Sequence, residues 1–205
     1  MEKPLHSIRK QYSRYVLHES QVDNDPLKQM QVWLSDAISA ECPEPTAMVL
    51  STAGEDNRPS SRVVLMKELD QSGVAFFTNY DSRKGLQLSE NPYASVLFFW
   101  PEVERQVRIE GVVHKIPAGE SDRYFASRPE ASRISAIISP QSREIPNREW
   151  LEQQHALAMN RPSNWGGYLL APDYFEFWQG REDRLHDRII YRKIGSDWKI
   201  SRLAP

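Results

Sequence analysis

The chain has 205 residues, a formal charge of −2 at neutral pH, 40% hydrophobic and 26% charged residues. This globular composition excludes wholesale disorder and a coiled coil, and the acidic balance offers no global basic field for nucleic acid. A single cysteine, Cys42, excludes an intramolecular disulfide framework and any multi-cysteine metal site, and fits a reducing, cytoplasmic home.

In chain order, residues 1–24 are polar with scattered aromatics and read as an arm or short helix. No secretory apolar core opens the sequence, and no apolar run approaches the ~18 residues of a membrane helix. Asp25-Pro26 is a helix start, and Leu27, Met30, Trp33, Leu34, Ala37 and Ile38 then recur at helical spacing to about residue 40. Residues 46–52, 61–69 and 74–79 read as three strands joined by tight turns, an antiparallel meander. A short helix is expected over 82–89, and strands over 94–100 and 105–116. Helices are expected over 119–127, 131–138 and 147–160, then strands over 174–178, 187–193 and 197–202. About eight strands with a few helices imply one barrel-like α+β domain spanning 1–205.

The Rossmann and P-loop glycine signatures, HExxH and GxSxG are absent. The five histidines (His6, His18, His114, His155, His186) show no metal-ligand spacing, so no metal is expected. The basic residues are 18 arginines and 8 lysines. Arginine's planar fork suits phosphate or carboxylate, although compositional drift explains the ratio equally well.

Several groupings carry possible chemistry. In an extended chain Arg184, His186 and Arg188 share one face, either a solvated edge or a seat for an anion with His186 as donor or proton carrier. Arg62 and Lys67 close a four-residue apolar run about 16 Å long at ~3.3 Å per residue. Parity places them on opposite faces, so one ligand meets both only if the strand twists or bulges. Ser82, Arg83 and Lys84 at a helix start suit a phosphate, or simply cap the helix. Tyr124, Arg128 and Ser132 recur every four residues, with Pro129 expected to break the helix between them. The aromatic–glycine pairs at Trp165–Tyr168 and Glu176–Gly180 read as core, or as walls for a flat ring system.

From about Ile8 to Pro205 the chain resembles the pyridoxamine 5′-phosphate oxidase family. The resemblance is carried by RVVLMK at Arg62, TNYDSRK at Thr78, ERQV at Glu104, YFASRP at Tyr124, WGGY at Trp165, EFWQGREDRLHDR at Glu176 and WKISRLAP at Trp198. It implies a split β-barrel homodimer with FMN at the subunit interface. The implied FMN positions are Arg62, Val63, Val64, Leu65, Met66, Lys67, Phe77, Thr78, Arg83, Lys84, Gln106, Gln141, Ser142, Trp178 and Arg188. The implied substrate positions are Arg9, Lys10, Gln11, Tyr12, Lys67, Tyr124, Arg128, Ser132, Arg184, Leu185 and His186, with Arg184 and His186 nearest the chemistry. The implied reaction is hydride transfer from C4′ of pyridoxine or pyridoxamine 5′-phosphate to the flavin, with dioxygen as acceptor and hydrogen peroxide as product. The alternatives are an oxidase of the same superfamily acting on another ring, as in phenazine pathways, and a barrel that binds flavin without catalysis.

Overall fold

The computed structural model describes residues 4–7, 11–156 and 159–205. In the arm, 3₁₀ turns form at Leu5–Ser7 and Glu19–Gln21. Helix α1 spans Pro26–Ser39 and starts as the sequence predicts: the Asp25 carboxylate accepts from the Leu27 N–H, and Pro26 costs no hydrogen bond at the first helical position. Leu27, Met30, Trp33 and Ala37 are buried along one stripe, while Ile38 stays 55% exposed.

Nine strands follow among the described residues: β1 (Ala47–Thr52), β2 (Ser60–Leu65), β3 (Glu68–Asp70), β4 (Gly73–Asn79), β5 (Tyr93–Trp100), β6 (Arg105–Lys115), β7 (Trp165–Gln179), β8 (Asp187–Ile194) and β9 (Asp197–Leu203). They pair in the order β2-β1-β5-β6-β7-β4-β3, with β8 beside β7 and β9 beside β8. Helices α2 (Arg83–Glu90), α3 (Ala118–Ser127), α4 (Glu130–Ile138) and α5 (Arg148–Glu152) fill the connections.

Four expectations need correction. The segment 61–69 is two strands, because β2 pairs with β1 (Ala47↔Leu65) while β3 pairs with β4 (Glu68↔Ala75). Met66 and Lys67 make the change of partner, and the Lys67 N–H donates to Ala75 O at 2.8 Å. The helix expected over 147–160 stops at Glu152, although Asn147 caps it by accepting from the Trp150 N–H. Strand β7 begins nine residues before 174 and runs through Pro172. It pairs with β4 over Trp165–Leu170 and with β8 over Tyr174–Gln179. Pro172 thus sits between the two ladders, where a missing N–H costs least. The extended row Arg184–His186–Arg188 does not form. Asp183 (φ 53°) and Arg184 (φ 63°) adopt left-handed backbone in a 3₁₀ turn, which breaks the alternation that parity requires.

The chain divides into two compact units, Met1–Thr46 with Leu97–Ile109 and Asp173–Pro205, and Ala47–Val96 with Glu110–Pro172. The first buries a ring cluster in which Trp33 meets Phe177 edge-on at 5.1 Å and Phe177 meets Tyr191 at 5.5 Å. Each such fully buried ring is worth about 2–3 kcal/mol of transfer free energy. The second is centred on Met48, Leu50, Phe76, Val96 and Leu170, all at most 1% exposed. No helix among the described residues is long and apolar enough to cross a membrane.

Candidate active site

A cavity of about 630 Å³ opens in the second unit, within the usual size of a small-molecule site. Four cations line it, Arg62, Lys67, Lys84 and Arg128, together with Val63, Val64, Leu65, Phe77, Thr78, Tyr124, Pro129, Ser132, Gln141 and Trp165; no carboxylate is among them. Arg62 and Lys67 reach the same cavity despite their opposite parity because β2 ends at Leu65 and the chain jogs before Lys67. Tyr124, Arg128 and Ser132 converge for a related reason. Arg128 leaves the helix with ψ 149°, and Pro129 starts α4 in a new direction.

The cations have neutral partners. Arg62 donates to Leu50 O (3.2 Å), Thr52 Oγ1 (2.6 Å) and Ser60 Oγ (2.6 Å). Lys84 Nζ, in a side chain 8% exposed, donates to Thr78 Oγ1 (3.1 Å), Ser82 Oγ (3.2 Å) and Gln141 Oε1 (3.0 Å). Buried Nη1 of Arg128 finds no hydrogen-bond acceptor. None of the four forms an ion pair among the described residues. Burial and the neighbouring Arg62 lower the Lys84 pKa to about 8. Burial also lowers Arg62, with Arg83 adding repulsion, and lowers Arg128. Dehydrated cations with no counter-ion are costly unless an anion completes the site.

Rings form one wall. Phe77 stacks on Tyr124 with centroids 3.8 Å apart, Trp165 lies 5.7 Å from Phe77, and the Arg128 guanidinium sits 4.7 Å over the Trp165 ring. Arg83 and Ser142 do not line this cavity. They line a neighbouring groove of the same unit with Gly54, Asp81, Glu90 and Arg143. Met66 is buried at 5% exposure and lines neither.

The remaining candidates belong to the first unit. Trp178 on β7 stands opposite Arg188 on β8 in register. Glu176, two residues before Trp178 and only 3% exposed, accepts from Arg188 Nε at 2.7 Å and from Arg108 Nη2 at 2.7 Å. Gln106 lies two residues before Arg108 on β6, so Gln106, Arg108, Glu176, Trp178 and Arg188 share one sheet face. His186 packs against Trp178 with centroids 4.5 Å apart, and Tyr12 closes edge-on over both at 5.8 and 6.1 Å. Bare Gly180 makes room for Tyr12, whose Cγ lies 2.7 Å from where a Cβ would stand. Arg202 ties the arm down by donating to Glu19, to Leu17 O and to Asp187. His186 Nδ1 accepts from the Arg181 N–H at 3.1 Å, which leaves the proton on Nε2. Burial and then the Arg184 cation lower its pKa, with Asp187 opposing, so the neutral ring is a donor at Nε2. Arg184, Leu185 and Gln11 are exposed, and Arg9 and Lys10 lie outside the described residues.

Residues 34–157 match the pyridoxamine 5′-phosphate oxidase family, and residues 165–205 match the pyridoxine 5′-phosphate oxidase C-terminal dimerisation region. The chain belongs to the pyridoxamine 5′-phosphate oxidase family. It is 53% identical to a pyridoxine/pyridoxamine 5′-phosphate oxidase of Polynucleobacter asymbioticus, over 97% of each chain. It is 51% identical to one of Mannheimia succiniciproducens, over 98% of this chain and 99% of that one. Among solved structures, PhzG of Burkholderia lata in complex with tetrahydrophenazine-1-carboxylic acid superposes with a TM-score of 0.88 at 36% identity, covering 93% of this chain and 98% of that one. Membership carries the class, a flavin-dependent oxidoreductase on an antiparallel split barrel. The cavity suits such a cofactor: buried cations with neutral partners only for a phosphate, and a ring-lined wall for a flat heterocycle.

The resemblance leaves three supporting contacts unnamed, one in the first unit and two in the second. Thr52 and Ser60 hold Arg62, Glu176 holds Arg188, and Trp165 carries Arg128. Only Trp165 had a local signal, the bulky ring beside two glycines.

Proposed function

We propose that the chain is an FMN-dependent oxidase that converts pyridoxine or pyridoxamine 5′-phosphate to pyridoxal 5′-phosphate, with dioxygen as acceptor and hydrogen peroxide as product, the pyridoxamine ester also consuming water and releasing ammonia. The observation that supports this most strongly is the cavity's four cations without an anionic partner among the described residues. They are more than one phosphate needs, and cofactor and substrate each bring one.

In this reading Arg62 and Lys84, with Arg83 and Ser142 from the adjoining groove, hold the FMN phosphate, Val63, Val64, Leu65, Lys67, Phe77, Thr78 and Gln141 line its path, and buried Met66 backs that strand. Lys67, Tyr124, Arg128 and Ser132 hold the substrate phosphate. Gln106, Trp178 and Arg188 contact the flavin. Arg184, Leu185 and His186, with Arg9, Lys10, Gln11 and Tyr12 of the arm, face the pyridine ring. FMN held there would supply the redox chemistry, a two-electron oxidation at the substrate C4′ carbon with dioxygen as the final acceptor. The protein binds both phosphates, orients the two rings, and offers the His186 Nε2–H as a donor to the substrate. The working form is a cytoplasmic homodimer, consistent with the dimerisation region at 165–205, and 1–205 acts as one domain.

Anaerobic pyridoxine 5′-phosphate should bleach the flavin absorbance near the visible maximum, and readmitted air should restore it with release of peroxide. A yellow protein that keeps its colour under those conditions refutes the proposal. A second reading, oxidation of a phenazine precursor, has the PhzG likeness in its favour. The phosphate-suited set Lys67, Tyr124, Arg128 and Ser132 weighs against it, since a carboxylated tricycle has no use for that many groups. Turnover of a dihydrophenazine carboxylic acid without turnover of pyridoxine 5′-phosphate would favour the second reading.

A further inference from the structure

The geometry points to Trp165 as a positioning residue that sets the Tyr124–Arg128 pair by ring stacking, and so governs the preference for phosphorylated over unphosphorylated substrate. The inference rests on the substrate-phosphate role given to that pair above.

Arg128 has no ion pair among the described residues and no acceptor for its buried Nη1. Its contact is the face of Trp165, 4.7 Å from ring centroid to guanidinium carbon. Tyr124 is held in the same manner. It lies 3.8 Å from Phe77 with planes 22° apart, and its ring is parallel to Trp165 within 4° at 6.2 Å. Phe125 braces the far side of Trp165 edge-on at 5.2 Å. Among the described residues, both phosphate ligands therefore take their orientation from packing against one cluster of near-parallel rings.

Local sequence explains why the ring cluster stands. Phe77 and Gly167 are direct partners across β4 and β7, and a Cβ on Gly167 would lie 2.7 Å from the Phe77 ring. A side chain there would crowd the Phe77 ring and the tip of Ile116 alike. On Gly166 a Cβ would lie 2.1 Å from the Tyr80 hydroxyl. The two glycines after Trp165 thus keep the strand bare where rings cross it. A guanidinium over an indole face is attracted to it yet keeps its N–H donors in the ring plane free, which suits a residue awaiting an anion.

The test uses the flavin-loaded enzyme and two substrates, pyridoxine 5′-phosphate and pyridoxine. Trp165→Leu should lower the ratio of their kcat/KM values about tenfold, mainly through KM for the phosphate ester. Trp165→Phe keeps a ring under Arg128 and should recover most of that loss. If Trp165→Leu fails to fold, Trp165→Phe decides the matter by itself: it should give a smaller but measurable drop in the ratio. A merely structural role depresses both substrates in parallel and leaves the ratio unchanged; that result overturns the inference. If the wild-type enzyme oxidises neither compound, the functional proposal fails by itself. Positioning is then read from equilibrium binding of pyridoxal 5′-phosphate against pyridoxal, where Trp165→Leu must lower the affinity ratio; an equal ratio in both proteins overturns it.

Discussion

Replacing Lys84 with methionine should make the flavin-free protein more stable and weaken FMN binding by at least about thirtyfold. Burial and Arg62 bring the Lys84 pKa from 10.5 to about 8, which amounts to about 3 kcal/mol against the charged form at neutral pH. Methionine fills nearly the same volume without that charge. The oxygens it abandons keep other partners: Thr78 Oγ1 donates to Gln141 Oε1, and Ser82 Oγ donates to Asn79 O and accepts from the Gly85 N–H. Allowing for the ammonium's lost hydrogen bonds, about 2 kcal/mol of net gain remains, or roughly 4–8 °C in Tm for a chain of this length. Removing a buried cation from a phosphate should cost at least ~2 kcal/mol of binding, about thirtyfold in Kd. Thermal melts of the apoprotein and flavin-fluorescence titrations measure both. A Lys84→Met apoprotein that melts below wild type, or one that binds FMN as tightly, refutes the reasoning.

The same lysine sets a pH dependence. Its folded pKa is below its unfolded value, so the unfolded chain binds more protons between about 8 and 10.5, and apoprotein stability contributed by this group should rise across that window. FMN affinity should fall over the same range, by up to tenfold per pH step above about 8, and a flat titration from pH 7 to 10 contradicts the assignment. Burial alone would raise the Glu176 pKa, but hydrogen bonds from Arg188 and Arg108 outweigh it and hold the carboxyl below its ordinary value. Its stabilisation is therefore complete above about pH 4.5 and lost as pH falls through the lower folded value. Glu176→Gln should cost about 3 kcal/mol in urea unfolding at pH 7, since it leaves two guanidiniums without their shared partner. Asp25→Ala removes the cap of α1 and should cost about 1 kcal/mol without altering FMN affinity, which a paired melt and titration would show.

Local chemistry was enough for much of the architecture. Asp25-Pro26, Ser82 and Pro129 mark helix boundaries because a cap or a missing N–H acts within one turn, whatever the rest of the chain does. Strand identities from β4 to β6 followed from apolar runs bounded by turn residues. Recognisable motifs also named the phosphate-suited side chains before any geometry was known. Tertiary structure alone decided where those side chains meet and what they touch. That Arg62 and Lys67 share a cavity depends on β2 and β3 pairing with different neighbours, a long-range choice invisible to a parity count. That Arg83 and Ser142 line a separate groove, that Arg188 spends its Nε on buried Glu176, and that Trp165 underlies Arg128 all depend on residues far apart in sequence. Hydrogen bonding and burial are settled by what packs alongside, and a linear pattern reports only one side of each contact.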